Sequence, residues 1–215
     1  NGPVAVTAEG TPVRIVRNAE TNLGDLCADA YRALSNADIA FVNGGGIRKQ
    51  IEAGDITLDD IYSVHPFGNT MCVIRVTGQQ VLDALEWGAR AVPSENGGFL
   101  QVSGLTYEIH TGVASSAEKD ENGMFTRVSG EYRVKNVMVG GQPLELDKTY
   151  TLASHNYMLL GHGDGYTMFD GCEVLGEDMM VDNQVLITYI TTTLGGVVGE
   201  QYANPYGDGR IVAVE

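Results

Sequence analysis

The sequence predicts an α+β fold, a single domain in which helices pack against a mixed β-sheet. Three observations carry that prediction. Apolar residues recur at helical spacing near the start of the chain, two capping-box patterns mark where further helices begin, and from Leu105 onward the pattern changes to alternation. The length of 215 residues with 43% hydrophobic content is enough to bury one core of generous size.

Between Asn22 and Leu34, the residues Leu23, Leu26, Cys27, Ala30, Tyr31 and Leu34 share one helical face, and Asn22 is the expected N-cap. The apolar run Ile39 to Val42 reads as a buried strand that delivers NGGGIR, and with it Arg48, at its end. Thr57 with Asp60 three residues later predicts a capped short helix through Tyr62. The HPFGN turn and a strand over Met71 to Val76 follow, and Thr77 with Gln80 caps a helix over VLDALEWGARAV. LTYEIH, EYRVKNVMV and LELDKTYTLAS are expected as antiparallel strands, with Gly140 and Gly141 as a hairpin turn. The polar stretch SSAEKDENG is expected as a surface loop between strands. Asp182 is the expected cap of a last helix through Leu194, ended by Gly195 and Gly196, and the tail QYANPYGDGR has turn chemistry.

Composition narrows the partners. With 13 basic and 28 acidic residues the net charge is −15, a field that repels a polyphosphate backbone and argues against nucleic acid. No stretch of eighteen apolar residues offers a transmembrane segment. The nine Arg outnumber the four Lys, so planar forks for a small anion are available where a few converge. Cys27, Cys72 and Cys172 are too scattered for a disulfide framework or a metal knuckle and read as small apolar fillers. The opening NGPVAVTAEGTPVR lacks a basic-then-apolar leader, as expected of a mature chain or of a fragment from which a leader and other domains were removed.

Three loops set glycines beside polar residues: NGGGIR (43–48), HPFGN (65–69) and GHGDGY (161–166). Such loops let backbone approach a ligand, although each alone is equally served by tight turns. Arg17 and Arg48 can hold phosphate or carboxylate oxygens, or be tied in surface ion pairs. Asp164 can accept hydrogen bonds from a vicinal diol or shape its own turn. Phe67, between Pro66 and Gly68, is a stiffly mounted aromatic suited to stacking or to core packing. The four histidines show neither HExxH nor DxH spacing, and no GxSxG elbow occurs, so no catalytic residue and no metal site are expected in this chain.

The order of these segments resembles the C-terminal domain of the 5′-nucleotidase family, which includes bacterial UDP-sugar hydrolases and ecto-5′-nucleotidases. The carrying segments are RNAETNLGDLCADAYR (17–32), DIAFVNGGGIR (38–48), GDITLDDIYSVHPFGNTM (54–71), GGFLQVSGLTYEI (97–109) and GHGDGYTMF (161–169). The resemblance implies that residues 1–215 form the substrate-binding domain. A metallophosphoesterase domain with two divalent metal ions would precede it in the longer protein, and this domain would bind no cofactor itself. It further implies that Arg17 and Arg48 hold phosphate or ribose oxygens and that Asn43 contacts base or sugar. Phe67, with Asn69 beside it, forms one wall of a clamp on the base, and Asp164 holds the ribose hydroxyls.

The sequence departs from the family pattern at two positions. Counting back from Asp164, the second wall of the clamp falls on Met158, while Tyr157 lies one residue earlier. Either Tyr157 stacks after a one-residue loop adjustment, or Met158 supplies a softer sulfur contact. His162 stands where a glycine is common. The expected function is nucleotide or nucleoside recognition within an extracytoplasmic phosphohydrolase (periplasmic, secreted or wall-attached), partnered by its own metal-bearing domain. The alternatives are a 2′,3′-cyclic nucleotide phosphodiesterase, a sulfur-oxidation hydrolase and a non-enzymatic nucleotide-binding or surface module.

Overall fold

A computed structural model of the protein describes residues 4–6 and 12–215. The first half runs β1 (Val4–Val6), β2 (Pro12–Arg14), α1 (Asn22–Ser35), β3 (Ile39–Asn43), α2 (Leu58–Val64), β4 (Met71–Thr77) and α3 (Gly78–Ala89). Next come β5 (Leu100–Ser103), β6 (Leu105–His110), β7 (Ala117–Lys119), β8 (Phe125–Val128), β9 (Val134–Val139) and β10 (Gln142–Pro143). The chain finishes with β11 (Thr149–His155), the short α4 (Asn156–Leu159), β12 (Glu173–Gly176), α5 (Asp182–Thr188) and β13 (Ile211–Val214). This is the expected α+β class, built on two principal sheets where the sequence suggested one.

The five-stranded sheet has the order β12-β4-β11-β3-β5, with β11 parallel to β3 and every other pair antiparallel. Its middle strands are buried on both faces, so alternate residues serve different cores. Ile39, Phe41, Ile74 and Leu152 face α3 and the second sheet, where they meet Leu85, Trp87, Leu105 and Ile109. Ala40, Val42, Val73 and Ala153 face α1 and α5, against Leu26, Ala30, Tyr31, Val185 and Leu186. The second sheet, β10-β9-β6-β13, is parallel only between β6 and β13. Free Cys27 and Cys72 are buried in these cores, as expected of small fillers.

Both capping boxes are formed. Thr57 and Asp60 exchange side-chain and backbone bonds at the start of α2, as do Thr77 and Gln80 at the start of α3. Gly140 and Gly141 make the expected hairpin between β9 and β10, both at positive φ.

Three expectations need correction. The cap of α1 is Thr21, whose hydroxyl accepts from the Gly24 N–H, while Asn22 is already helical and donates through Nδ2 to the Tyr202 carbonyl. Asp182 is the first residue of α5 rather than its cap. Its carboxylate accepts from the Asn183 and Asn69 N–H groups, and the helix passes at Tyr189–Thr193 into a wider turn. The segment 115–123 is not all loop: β7 pairs with β8, and Asp120 closes the turn by accepting from the N–H of Asn122 and Met124. The tail 201–210 is built of turns, as expected, and beyond it Ile211–Val214 adds a strand parallel to β6. No helix among the described residues is long and apolar enough to cross a membrane.

Candidate functional site

Strand directions decide which loops meet. Because β3 and β11 are parallel, their carboxyl ends, Asn43 and His155, lie at one edge of the sheet. The antiparallel neighbours start at that same edge, with Asn43 opposite Leu100 and His155 opposite Met71. Loops 43–48, 65–70, 97–99 and 155–165 therefore converge, as in open α/β sheets where ligands bind beyond strand carboxyl ends.

There they enclose a cavity of about 390 Å³ lined by Arg17, Asn43, Gly45, Gly46, Arg48, Phe67, Asn69, Gly97, Tyr157 and Asp164. Seven of the eight residues singled out in the sequence meet in it. The eighth, Met158, does not: it is 0% exposed and packs in the core with Leu159 and Tyr166. The reason is local. α4 starts at Asn156, and successive side chains of a helical turn point about 100° apart, so Tyr157 faces the cavity and Met158 the interior.

Arg17 ends a short turn anchored by buried Ile15 and Val16, and its carbonyl accepts from the Asn96 N–H. The glycine loop packs directly on this turn: a Cβ at Gly44 would lie 2.1 Å from the Val16 carbonyl oxygen. Burial and the nearby charges of Arg14 and Arg48 depress the Arg17 pKa, and its Nε is buried without a partner among the described residues. Arg48 donates to the Gly45 carbonyl at 3.1 Å, and its guanidinium lies 5.6 Å from the Phe67 ring centre. Among the described residues neither Arg17 nor Arg48 forms a salt bridge, unlike Arg14, Arg75, Arg127 and Arg210.

Phe67 is 60% exposed, high for its size, on the rigid turn between α2 and β4. Asn69 is fixed through its backbone, which both donates to and accepts from Asp182. On the other side, Tyr157 is 43% exposed and donates its hydroxyl to Asp164 Oδ1 at 3.3 Å. The ring lies over Gly163, where a Cβ would come within 2.3 Å of it.

Asp164 has left-handed backbone, φ 55°, held by Trp87 Nε1–H donating to its carbonyl at 2.9 Å. Its Oδ2 accepts from Asn43 Nδ2 at 2.6 Å, and Asn43 Oδ1 pairs with His155 Nε2 at 3.0 Å. His155 and His65 are both buried, and burial pushes their pKa values down to about 3 and about 4 respectively, so both are neutral imidazoles. His162 is also left-handed, but it pairs with Asp170 and does not line the cavity. His155 and Trp87 carried no motif in the sequence; only the fold brings them beneath Asp164.

Three broader hollows occur: those of about 560 and 540 Å³ along Gly54–Ile56 and Val197–Val198 have no basic lining, and one of about 500 Å³ has Arg32 and Arg210, which are bonded to Ser103 and Asp29. Among the described residues, Glu20, Asp25 and Asp208 are close enough to share an ion. They do not fit a catalytic metal. Glu20 is already taken by the N–H groups of Asp208, Gly209 and Ile211, Arg210 supplies the positive charge there, and none of the three lines the cavity.

The fold has relatives among known proteins. A family model described as "5′-nucleotidase, C-terminal domain" matches residues 3–171. The chain is 36% identical over 203 residues to the trifunctional nucleotide phosphoesterase protein YfkN of Bacillus subtilis (strain 168), covering 93% of this chain and 13% of that protein. It is 34% identical over 176 residues to a 5′-nucleotidase of Vibrio cholerae serotype O1, covering 82% of this chain and 28% of the relative. The crystal structure of a 5′-nucleotidase precursor from Thermus thermophilus aligns with a TM-score of 0.76 at 32% identity, over 93% of this chain and 36% of that one. The chain thus spans only 13% to 28% of the length of these curated relatives.

Proposed function

Because the chain belongs to the family of 5′-nucleotidase C-terminal domains, we propose that its cavity binds a nucleotide or nucleoside for hydrolysis elsewhere in a longer protein. One observation carries this reading: in an acidic chain, two arginines without carboxylate partners among the described residues line the same cavity as an exposed Phe67, a Tyr157 ring and the Asp164 carboxylate. That set complements three parts of one ligand. Arg17 and Arg48 meet phosphate oxygens, Asp164 accepts from the ribose hydroxyls, and Phe67 and Tyr157 flank the base with Asn69 beside it.

In this proposal residues 1–215 are the substrate-binding domain, and the reacting phosphate is delivered to a metallophosphoesterase domain carrying two divalent ions. When bound there, the ions supply activated water and charge neutralisation. The contribution of this chain is orientation, which converts an encounter into a positioned reaction. The same reading places the longer protein outside the cytoplasm as an exported enzyme of nucleotide catabolism. The 215-residue chain alone is expected to release no phosphate from AMP with divalent metal added.

Calorimetric titration with adenosine, AMP, uridine and ribose 5-phosphate tests the reading. Asp164→Ala is expected to abolish nucleoside binding, and Arg48→Ala to weaken AMP more than adenosine. Unchanged affinity in folded Asp164→Ala, or no binding of any of the four ligands by the parent chain, would count against it.

A further inference from the structure

The hydrogen bonds under the cavity floor admit one polarity. A carboxylate only accepts, so the group that Asn43 turns towards Asp164 Oδ2 is its amide nitrogen, at 2.6 Å. Asn43 Oδ1 is thereby turned towards His155 Nε2, at 3.0 Å, and an acceptor there requires a donor. The proton of the neutral His155 ring is therefore on Nε2, which leaves Nδ1 as the buried nitrogen without a partner among the described residues. Asn43 is only 4% exposed, so its amide has little solvent with which to exchange this partner.

The same imidazole touches the other end of the pocket. Its ring centre lies 5.9 Å from that of Tyr157, at an interplanar angle of 39°, and 6.3 Å from that of buried Tyr31, nearly edge-on. His155 ends β11 in extended backbone and leads into α4, so its position is set by the central strand and not by the loop it supports. One rigid ring thus stands behind both the acceptor Asp164 and the aromatic side chain of Tyr157.

We propose that His155 is a positioning residue for both ends of the pocket: its Nε2–H locks the Asn43 amide that aims Asp164 at a vicinal diol, and its ring backs the Tyr157 wall. The inference rests on the reading of the cavity as a nucleoside site and adds a determinant of diol selectivity that lines no part of the cavity.

Two substitutions separate the two roles. His155→Phe keeps a ring and loses the donor; His155→Gln keeps a donor and loses the ring. Affinities of the 215-residue chain for adenosine and 2′,3′-dideoxyadenosine are measured by calorimetry. The parent is expected to prefer the diol. His155→Phe is expected to lose about tenfold of that preference, the effect of one buried hydrogen bond, with little change in the dideoxy affinity. His155→Gln is expected to retain the preference while binding both ligands more weakly. A folded His155→Phe chain with the parent's full preference overturns the proposal and leaves the nucleoside reading intact. A parent chain with no preference overturns both.

A second measurement needs no variant. The ¹⁵N shifts and couplings of the parent's histidines report which ring nitrogen carries hydrogen. The Nε2–H form of His155 is expected, and the Nδ1–H form overturns the proposal even if every variant fails to fold.

Discussion

Gly163 leaves no room for a methyl group, because a Cβ there would sit 2.3 Å from the Tyr157 ring. Gly163→Ala is therefore expected to push that ring out of its seat. Tyr157 is nearly half exposed, so a displaced ring can turn into solvent and the cost falls on the ligand. Adenosine affinity is expected to drop by about 1 to 3 kcal/mol, the scale of one base–aromatic stack, with a much smaller change in thermal midpoint; calorimetry and a melting curve check both. At this scale residue type left two uses open for each of Arg17, Arg48, Phe67 and Asp164; the order of the segments, through the family resemblance, singled them out, and the fold gathers them in one cavity. The choice between Tyr157 and Met158 could not be read, since it depends on the residue at which α4 starts. His155 could not be found either: its partners Asn43 and Tyr157 are set by strand pairing, and nothing near it in sequence marks it.

Helix starts set by local chemistry were readable to within a residue or so. The boxes at Thr57 and Thr77 involve atoms three residues apart and depend on nothing distant. The cap of α1 was misplaced by one because Thr21 and Asn22 are both good capping types, and the long-range bond from Asn22 to Tyr202 decides between them. β7 and β8 were missed since the pair is polar and pairs only with itself. β13 was missed since its parallel partner β6 is remote in sequence. The cap at Thr77 gives the prediction belonging to this scale. Thr77→Ala removes the acceptor for the Gln80 N–H and is expected to cost about 1 kcal/mol in urea unfolding. Binding is expected to be unchanged, because Trp87, the contact between α3 and Asp164, lies at the far end of the helix. A loss of affinity larger than the loss of stability would show that α3 moves as a unit.

The whole molecule is closed by a buried charged junction between its early and late segments. Glu20 accepts from the N–H groups of Asp208, Gly209 and Ile211, and Arg210 grips Asp29 of α1 with both terminal nitrogens. Asp25, beside them, is pushed up to about 8, chiefly by burial. The folded chain thus keeps a proton on Asp25 that the unfolded chain releases near pH 4. Its contribution is complete below that pH and is lost as pH rises towards 8, by about 1.4 kcal/mol per unit at most. Asp25→Asn, which needs no proton, is expected to gain stability relative to the parent between about pH 5 and pH 8, as urea midpoints at the two values will show; parallel curves would mean that Asp25 is ionised throughout. The central position of β11 has a consequence in time. Asp38 and Thr151, bonded where β3 and β11 run side by side, are 113 residues apart in sequence, and the pocket requires both strands to be in place. A chain emerging from the ribosome has no complete cavity until that distant strand has been made and inserted, so assembly of the pocket is a late, slow event. A ligand that recognises only the finished site cannot hasten folding. It acts afterwards, by slowing the escape of β11 and lengthening the lifetime of a molecule already folded.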